Sequence, residues 1–161
     1  MGLRLLILAV MAGMGGAQTR RVAPGTEMAR DFLAAHNEVR KQVGVGPLMW
    51  SDVLAGRAQT WANSLLATGA FAHSRNSPDG ENLYDITGGT TEAGAVVKAW
   101  ADEAGDYDYA ANACRKMCGH YTQIVWSDTR EVGCGVARGG GREVWVCHYN
   151  PPGNWVGKRP W

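Results

Sequence analysis

The stretch CGHYTQIVW, Cys118 to Trp126, sets a thiol, an imidazole, a phenol, a hydroxyl and an amide directly ahead of three apolar residues. Ile124, Val125 and Trp126 need burial to repay their ordering, roughly 1.5 to 3 kcal/mol for each large apolar side chain. Whatever packs around them also fixes His120. On this stretch alone the plainer reading of His120 is a satisfied structural imidazole beside the core, so the rest of the chain has to decide.

Downstream, Glu131 to Arg138 and Arg142 to Asn150 read as two strands about a turn at Gly139, Gly140 and Gly141. Period-two alternation sets Val132, Cys134 and Val136 on one face and the small Gly133, Gly135 and Ala137 on the other. Both faces then look covered. If Cys134 lies opposite Cys147, Trp145 and Tyr149 share its face, and the turn count asks for a bulge.

Upstream the chain reads as helices. Thr26 is an N-cap candidate, with Glu27 and Asp31 in the first turns, for a helix to about Val43 whose apolar row Phe32, Val39 and Val43 includes a structural His36. Ser51 caps a second helix to about Thr68, with Leu54, Ala58, Trp61 and Leu65 as its stripe and Gly69 as its stop. Phe71 to Ser74 is a short extended piece, and GENLY, Gly80 to Tyr84, is a compact motif of acid, amide and apolar residues. After a loop at Gly88 to Thr91, a third helix runs to about Ala104 with Val96, Val97 and Trp100 buried. Its last turn carries Asp102 and Glu103, which oppose the helix dipole. That local penalty raises the question of a task for Glu103. Gly105 to Ala113 reads as a loop. Helices ahead of a closing hairpin covered on both sides suggest an α/β/α layered domain.

The chain has 161 residues, a single-domain length able to bury its own core. Arg4, the apolar run Leu5 to Ala12 and the small residues Gly15, Gly16 and Ala17 read as a secretory signal over 1–17, cut near Gln18. That run is too short to span a bilayer, and no other apolar run is long enough. Removing 1–17 takes away Arg4 and leaves 15 Lys plus Arg against 15 Asp plus Glu. A balanced charge without a basic stripe speaks against a nucleic-acid partner. Cys114, Cys118, Cys134 and Cys147 are even in number and, in an exported chain, read as disulfides. A four-Cys zinc site would need close pairs on both sides, which Cys134 and Cys147 do not form.

Four motifs stand in order: HNEVR at His36 to Arg40, GENLY at Gly80 to Tyr84, GHYTQIVW at Gly119 to Trp126 and CHYNPPGNWVG at Cys147 to Gly157. Together they resemble the CAP superfamily, the cysteine-rich secretory, antigen 5 and pathogenesis-related class-one proteins, most closely its plant-type and bacterial members, over 27–161. The resemblance implies an α/β fold, a three-layer α/β/α sandwich with a mainly antiparallel central sheet. It also implies a cleft of two His and two Glu able to bind a divalent metal, which fall on His73, Glu81, Glu103 and His120. Neutral imidazoles suit Zn²⁺, while the carboxylates can hold water or orient the ring N–H groups. The plant-type cysteine pattern loses two partners together, at Gly69 and Gly139, which implies the pairs Cys114 with Cys118 and Cys134 with Cys147. His148, where relatives generally carry Asn, reads as a surface or packing residue. The tail Pro151 to Trp161 is similar to one released as a signalling peptide in plant relatives, with Trp161 for Tyr and Asn150 for the preceding Asp. The plainer reading is a tail packed on the domain by Trp155 and Trp161.

The functional expectation is a secreted, monomeric, non-enzymatic domain. Its partners would be a sterol or fatty acid, or an extracellular protein. The alternative is a Zn²⁺-dependent hydrolase with His73 and His120 as ligands and Glu81 or Glu103 as general base. A cell-wall role is a third class. Ser74 adjoins His73, but no nucleophile-elbow motif supports a serine-type site.

Overall fold

The computed structural model describes residues 24–161, so the signal segment expected at 1–17 lies outside the described residues. Helix α1, Pro24–Gln42, begins two residues ahead of the expected Thr26 cap. Proline lacks an N–H that the first turn leaves unbonded anyway. The row of α1 that is buried completely is Phe32, His36 and Arg40, while Val39 and Val43 pack at its margin. His36 is structural, as its spacing with Phe32 indicated.

A short β1, Met49–Trp50, leads into α2, Asp52–Thr68, where the Ser51 hydroxyl accepts from the Leu54 N–H at 3.5 Å and Gly69 ends the helix at φ 71°. GENLY, a compact motif in the sequence, opens an eight-residue strand, β2, Gly80–Thr87. Helix α3, Ala93–Ala101, buries Val96, Val97 and Trp100. It tightens into a 3₁₀ turn at Asp102–Asp106. The segment expected as a loop contains a small ladder of β3, Tyr107–Asp108, and β4, Ala113–Cys114. Helix α4, Gly119–Ile124, then precedes the hairpin of β5, Glu131–Gly139, and β6, Arg142–Asn150.

The main sheet has the order β1-β5-β6-β2, with β1 parallel to β5 and every other pair antiparallel. Cys134 pairs with Cys147 in an unbroken register down to Gly139 and Arg142, so no bulge forms. Gly139 belongs to the strand, and Gly140 and Gly141, at φ 58° and 74°, make a two-residue turn of the kind hairpin twist favours. Both expected disulfides, Cys114–Cys118 and Cys134–Cys147, are present.

The two faces of the hairpin are covered differently. A Cβ on Gly133 would lie 2.2 Å from the Ala55 nitrogen, and one on Gly135 2.5 Å from the Gln59 backbone. Helix α2 therefore rests on bare backbone. The contact line of that helix is Leu54, Ala58, Ala62 and Leu65; Trp61, expected in the stripe, is only partly buried. On the opposite face, Val132, Cys134, Trp145, Cys147 and Tyr149 meet Phe32, Trp100 and Ile124 in the larger core. Ile124, Val125 and Trp126 are all buried. The layers are α2, the sheet, and then α1 with α3 and α4.

The C-terminal tail folds back. The Trp161 ring lies 4.9 Å from that of Tyr109 and 6.0 Å from that of Tyr121, and Ser127 N–H donates to the Pro160 carbonyl at 2.6 Å. Trp155 does not share this role: it is 56 % exposed.

Candidate functional site

Successive residues of an edge strand point to opposite faces, and in β2 this separates Glu81 from Asn82. Glu81 pairs across the sheet with His148, whose other neighbour is Gly133, on the α2 side. One oxygen of Glu81 accepts from His73 Nδ1 at 2.6 Å and from the Ser74 N–H at 3.0 Å; the other accepts from His148 Nε2 at 3.0 Å. Burial pushes this carboxyl upward, but hydrogen bonds from His148, His73 and Ser74 outweigh it and hold its pKa at about 2. An ionised carboxylate only accepts, so the protonated atoms are His73 Nδ1 and His148 Nε2. The hydrogen bond to Glu81 raises the His73 pKa against the opposing effect of partial burial. Among the described residues Nε2 of His73 has no hydrogen-bond partner, and its side chain is 64 % exposed.

Glu103 answers the question its position raised. Its carboxylate turns from the end of α3 to the start of α4. It accepts from His120 Nδ1 at 2.6 Å, from the His120 N–H at 3.0 Å and from the Tyr121 N–H at 3.3 Å. Cys118 occupies the N-cap position of α4 without a side-chain cap, its sulfur being bonded to Cys114. Glu103 supplies the missing acceptor, and negative charge at a helix N-terminus is favoured. Trp100, fixed by its Nε1–H to the Leu83 carbonyl at 3.1 Å, stacks on the His120 ring at 6.0 Å. Nε2 of His120 likewise has no partner among the described residues.

A buried chain of hydrogen bonds ties this half to the first helix. The Asn82 amide donates to the His120 carbonyl and to the Tyr149 hydroxyl, both at 3.1 Å. His36 donates from Nδ1 to the Phe32 carbonyl, and its Nε2 receives the Tyr149 O–H at 2.8 Å. Burial drives the His36 pKa down to about 4, against the Phe32 bond, and that keeps Nε2 an acceptor. Arg40, wholly buried, donates to the carbonyls of Gly46, Ile124, Trp126 and Thr129 at 2.7 to 3.1 Å. One residue from each of the four motifs thus meets in a single network.

Comparison with known proteins agrees. Residues 33–149 match the model of the cysteine-rich secretory protein family, CAP. The chain belongs to the CAP family. It is 48 % identical over 135 residues to pathogenesis-related leaf protein 4 of Solanum lycopersicum, covering 82 % of each. It is 39 % identical over 158 residues to pathogenesis-related protein 1 of Arabidopsis thaliana, covering 96 % of this chain and 95 % of that one. Among solved structures, venom allergen-like protein 4 of Schistosoma mansoni superposes with a TM-score of 0.68 at 28 % identity, over 84 % of this chain and 94 % of that one.

In this CAP domain the four expected cleft residues meet as two pairs, His73 with Glu81 and His120 with Glu103. Among the described residues no group of three or more His, Cys, Asp or Glu side chains is gathered as a metal cage. What each pair offers is a ring oriented through Nδ1 by a carboxylate with Nε2 left over, the donor arrangement that metal-binding histidines use. Of the two readings of His148, surface or packing, packing holds: its side chain is 4 % exposed, Nε2 is hydrogen-bonded to Glu81, Nδ1 lies 3.3 Å from Asp79 Oδ2, and Asp79 is held by Arg57 at 2.9 Å. The signal was present in the cross-strand pairing of Glu81 with His148, but only once GENLY is read as a strand beside β6.

Proposed function

We propose that this CAP protein is a secreted, defence-related protein that acts by binding rather than by catalysis, with a divalent metal such as Zn²⁺ held on Nε2 of His73 and His120 and a sterol, fatty acid or extracellular protein as its ligand. The observation that carries this reading is the occupancy of both carboxylates. Glu81 already accepts three hydrogen bonds and so does Glu103. A general base needs a free lone pair and a pKa near the working pH. Glu81, at about 2, is a weak base, and both its oxygens are engaged in orienting imidazoles. That supports positioning over proton abstraction and disfavours the hydrolase alternative. Likeness to plant pathogenesis-related proteins supports the defence setting. No helix among the described residues is long and apolar enough to cross a membrane.

The test is a metal titration of the protein lacking 1–17 against the His73→Ala, His120→Ala double variant. Saturable Zn²⁺ binding in the first and its loss in the second is expected; identical isotherms would sink the metal reading. Because Glu81 raises the His73 pKa, protons should begin to compete with the metal above the ordinary imidazole value of about 6.5 as pH falls.

A further inference from the structure

Beside α2, a groove of about 520 Å³ runs between that helix and the loop 74–78 and reaches down to His148 of the sheet. This is within the usual size range of small-molecule sites. One wall is apolar: Val53 is 65 % exposed on the outer face of α2, Trp61 stands two turns on, and Pro78 faces them from the loop. The Trp61 ring is immobilised by its Nε1–H bond to the Ala72 carbonyl at 3.2 Å, so a ligand meets a surface whose ordering has already been met by folding.

The rest of the groove carries two guanidinium groups. Arg57 donates from Nη1 alone to both Asp79 oxygens, at 2.9 and 3.1 Å, which fixes the guanidinium and leaves its Nε and Nη2 donors unused among the described residues. Arg75 lines the same groove and makes no ion pair among the described residues. The carboxylates nearby, Asp79 and Glu81, are already engaged by Arg57 and by His73, His148 and Ser74, so the free N–H groups at the groove, among the described residues, belong to Arg75 and to Nε and Nη2 of Arg57.

We propose that the groove is a second ligand site, sharing Ser74 and His148 as a wall with the His73–Glu81 pair, for a small amphipathic anion: a flat apolar ring bearing a carboxylate. The ring lies on Trp61 and Val53, and the carboxylate takes the planar N–H pairs of Arg75 and Arg57, the geometry in which guanidinium binds carboxylate best.

The probe is 2-naphthoate, titrated calorimetrically into the wild-type protein, with 2-naphthylmethanol as its neutral counterpart. Saturable one-to-one binding is expected. Arg75→Glu and Val53→Glu, both on exposed side chains and checked by unchanged thermal melting, should each weaken it at least tenfold, and the alcohol should bind at least tenfold more weakly. Binding should survive EDTA. Absence of saturable naphthoate binding overturns the proposal, as does wild-type affinity in both variants. Loss of binding on chelation would move the site to the cleft and overturn it too. Metal titration reads the cleft independently, so either site can fail without the other.

Discussion

Two imidazole–carboxylate pairs of equal length, 2.6 Å, are built by different means. Glu81 is fixed by side chains, His148 and His73 above all, with a single backbone N–H from Ser74. Glu103 is fixed largely by the backbone, since two of its three donors are the first N–H groups of α4. The first pair can be undone by changing a neighbouring side chain, whereas the second lasts as long as α4 keeps its place. Position in α4 is in turn secured from below by Arg40 and the His36 chain.

Removing that support should have the largest effect. Arg40→Ala strips donors from four carbonyls, three of them buried partners at or just after the end of α4. A loss of about 3 kcal/mol or more is expected, the scale for breaking a buried polar network. Urea unfolding measures it; a loss below about 1 kcal/mol would show that α4 is held by packing alone.

Acid sharpens the contrast by timing. Folded His36 has its pKa lowered from 6.5 to about 4, so between those values the unfolded chain takes a proton that the folded one refuses. Stability should fall by about 3 kcal/mol as pH drops through that window, with the His120 half affected first. Glu81 follows: its contribution is present above 4.5 and lost as pH falls toward about 2. His73 has the opposite sign, contributing fully below 6.5 and fading as pH rises through its elevated folded value. Unfolding midpoints across pH in a His36→Gln variant should lose the upper slope; an unchanged slope would assign it to another group.

The smallest change tests the side-chain-built half. His148→Leu removes one of the two side-chain donors on Glu81 and should lower Zn²⁺ affinity roughly tenfold, the effect typical of residues that orient a ligand. The His120 ring resonances should stay in place. If they move as much as those of His73, the two halves are not independent.

How far the sequence could be read depends on where the partner of each residue lies. Helix α2 was legible from Ser51 to Gly69 because a cap, a stripe and a stop are all local signals. The hairpin was legible from its alternation, while the triple glycine concealed which two residues turn. Only Gly140 and Gly141 take positive φ there, and with Gly139 in the strand the register needs no bulge. Strand β2 escaped notice because both of its faces are spoken for. Its alternation is not apolar against polar but one hydrogen-bonded network against another, with Glu81 on one side and Asn82 on the other. The cleft residues came from resemblance, and the pairing of each His with its own Glu came from the coordinates.

By itself the sequence determined the layered α/β/α plan, because helical and strand periodicities and the small residues at 133, 135 and 137 are written in consecutive positions. Tertiary structure alone decided the rest. Glu103 caps a helix that is not its own, His148 lies buried against Glu81, and Arg40 holds carbonyls more than 80 positions away in the chain. Hydrogen bonds of this kind depend on directions in space that no spacing along the chain encodes. His120, in the stretch that fixes the fold, therefore owes its packing to its neighbours in sequence and its orientation to residues far from it.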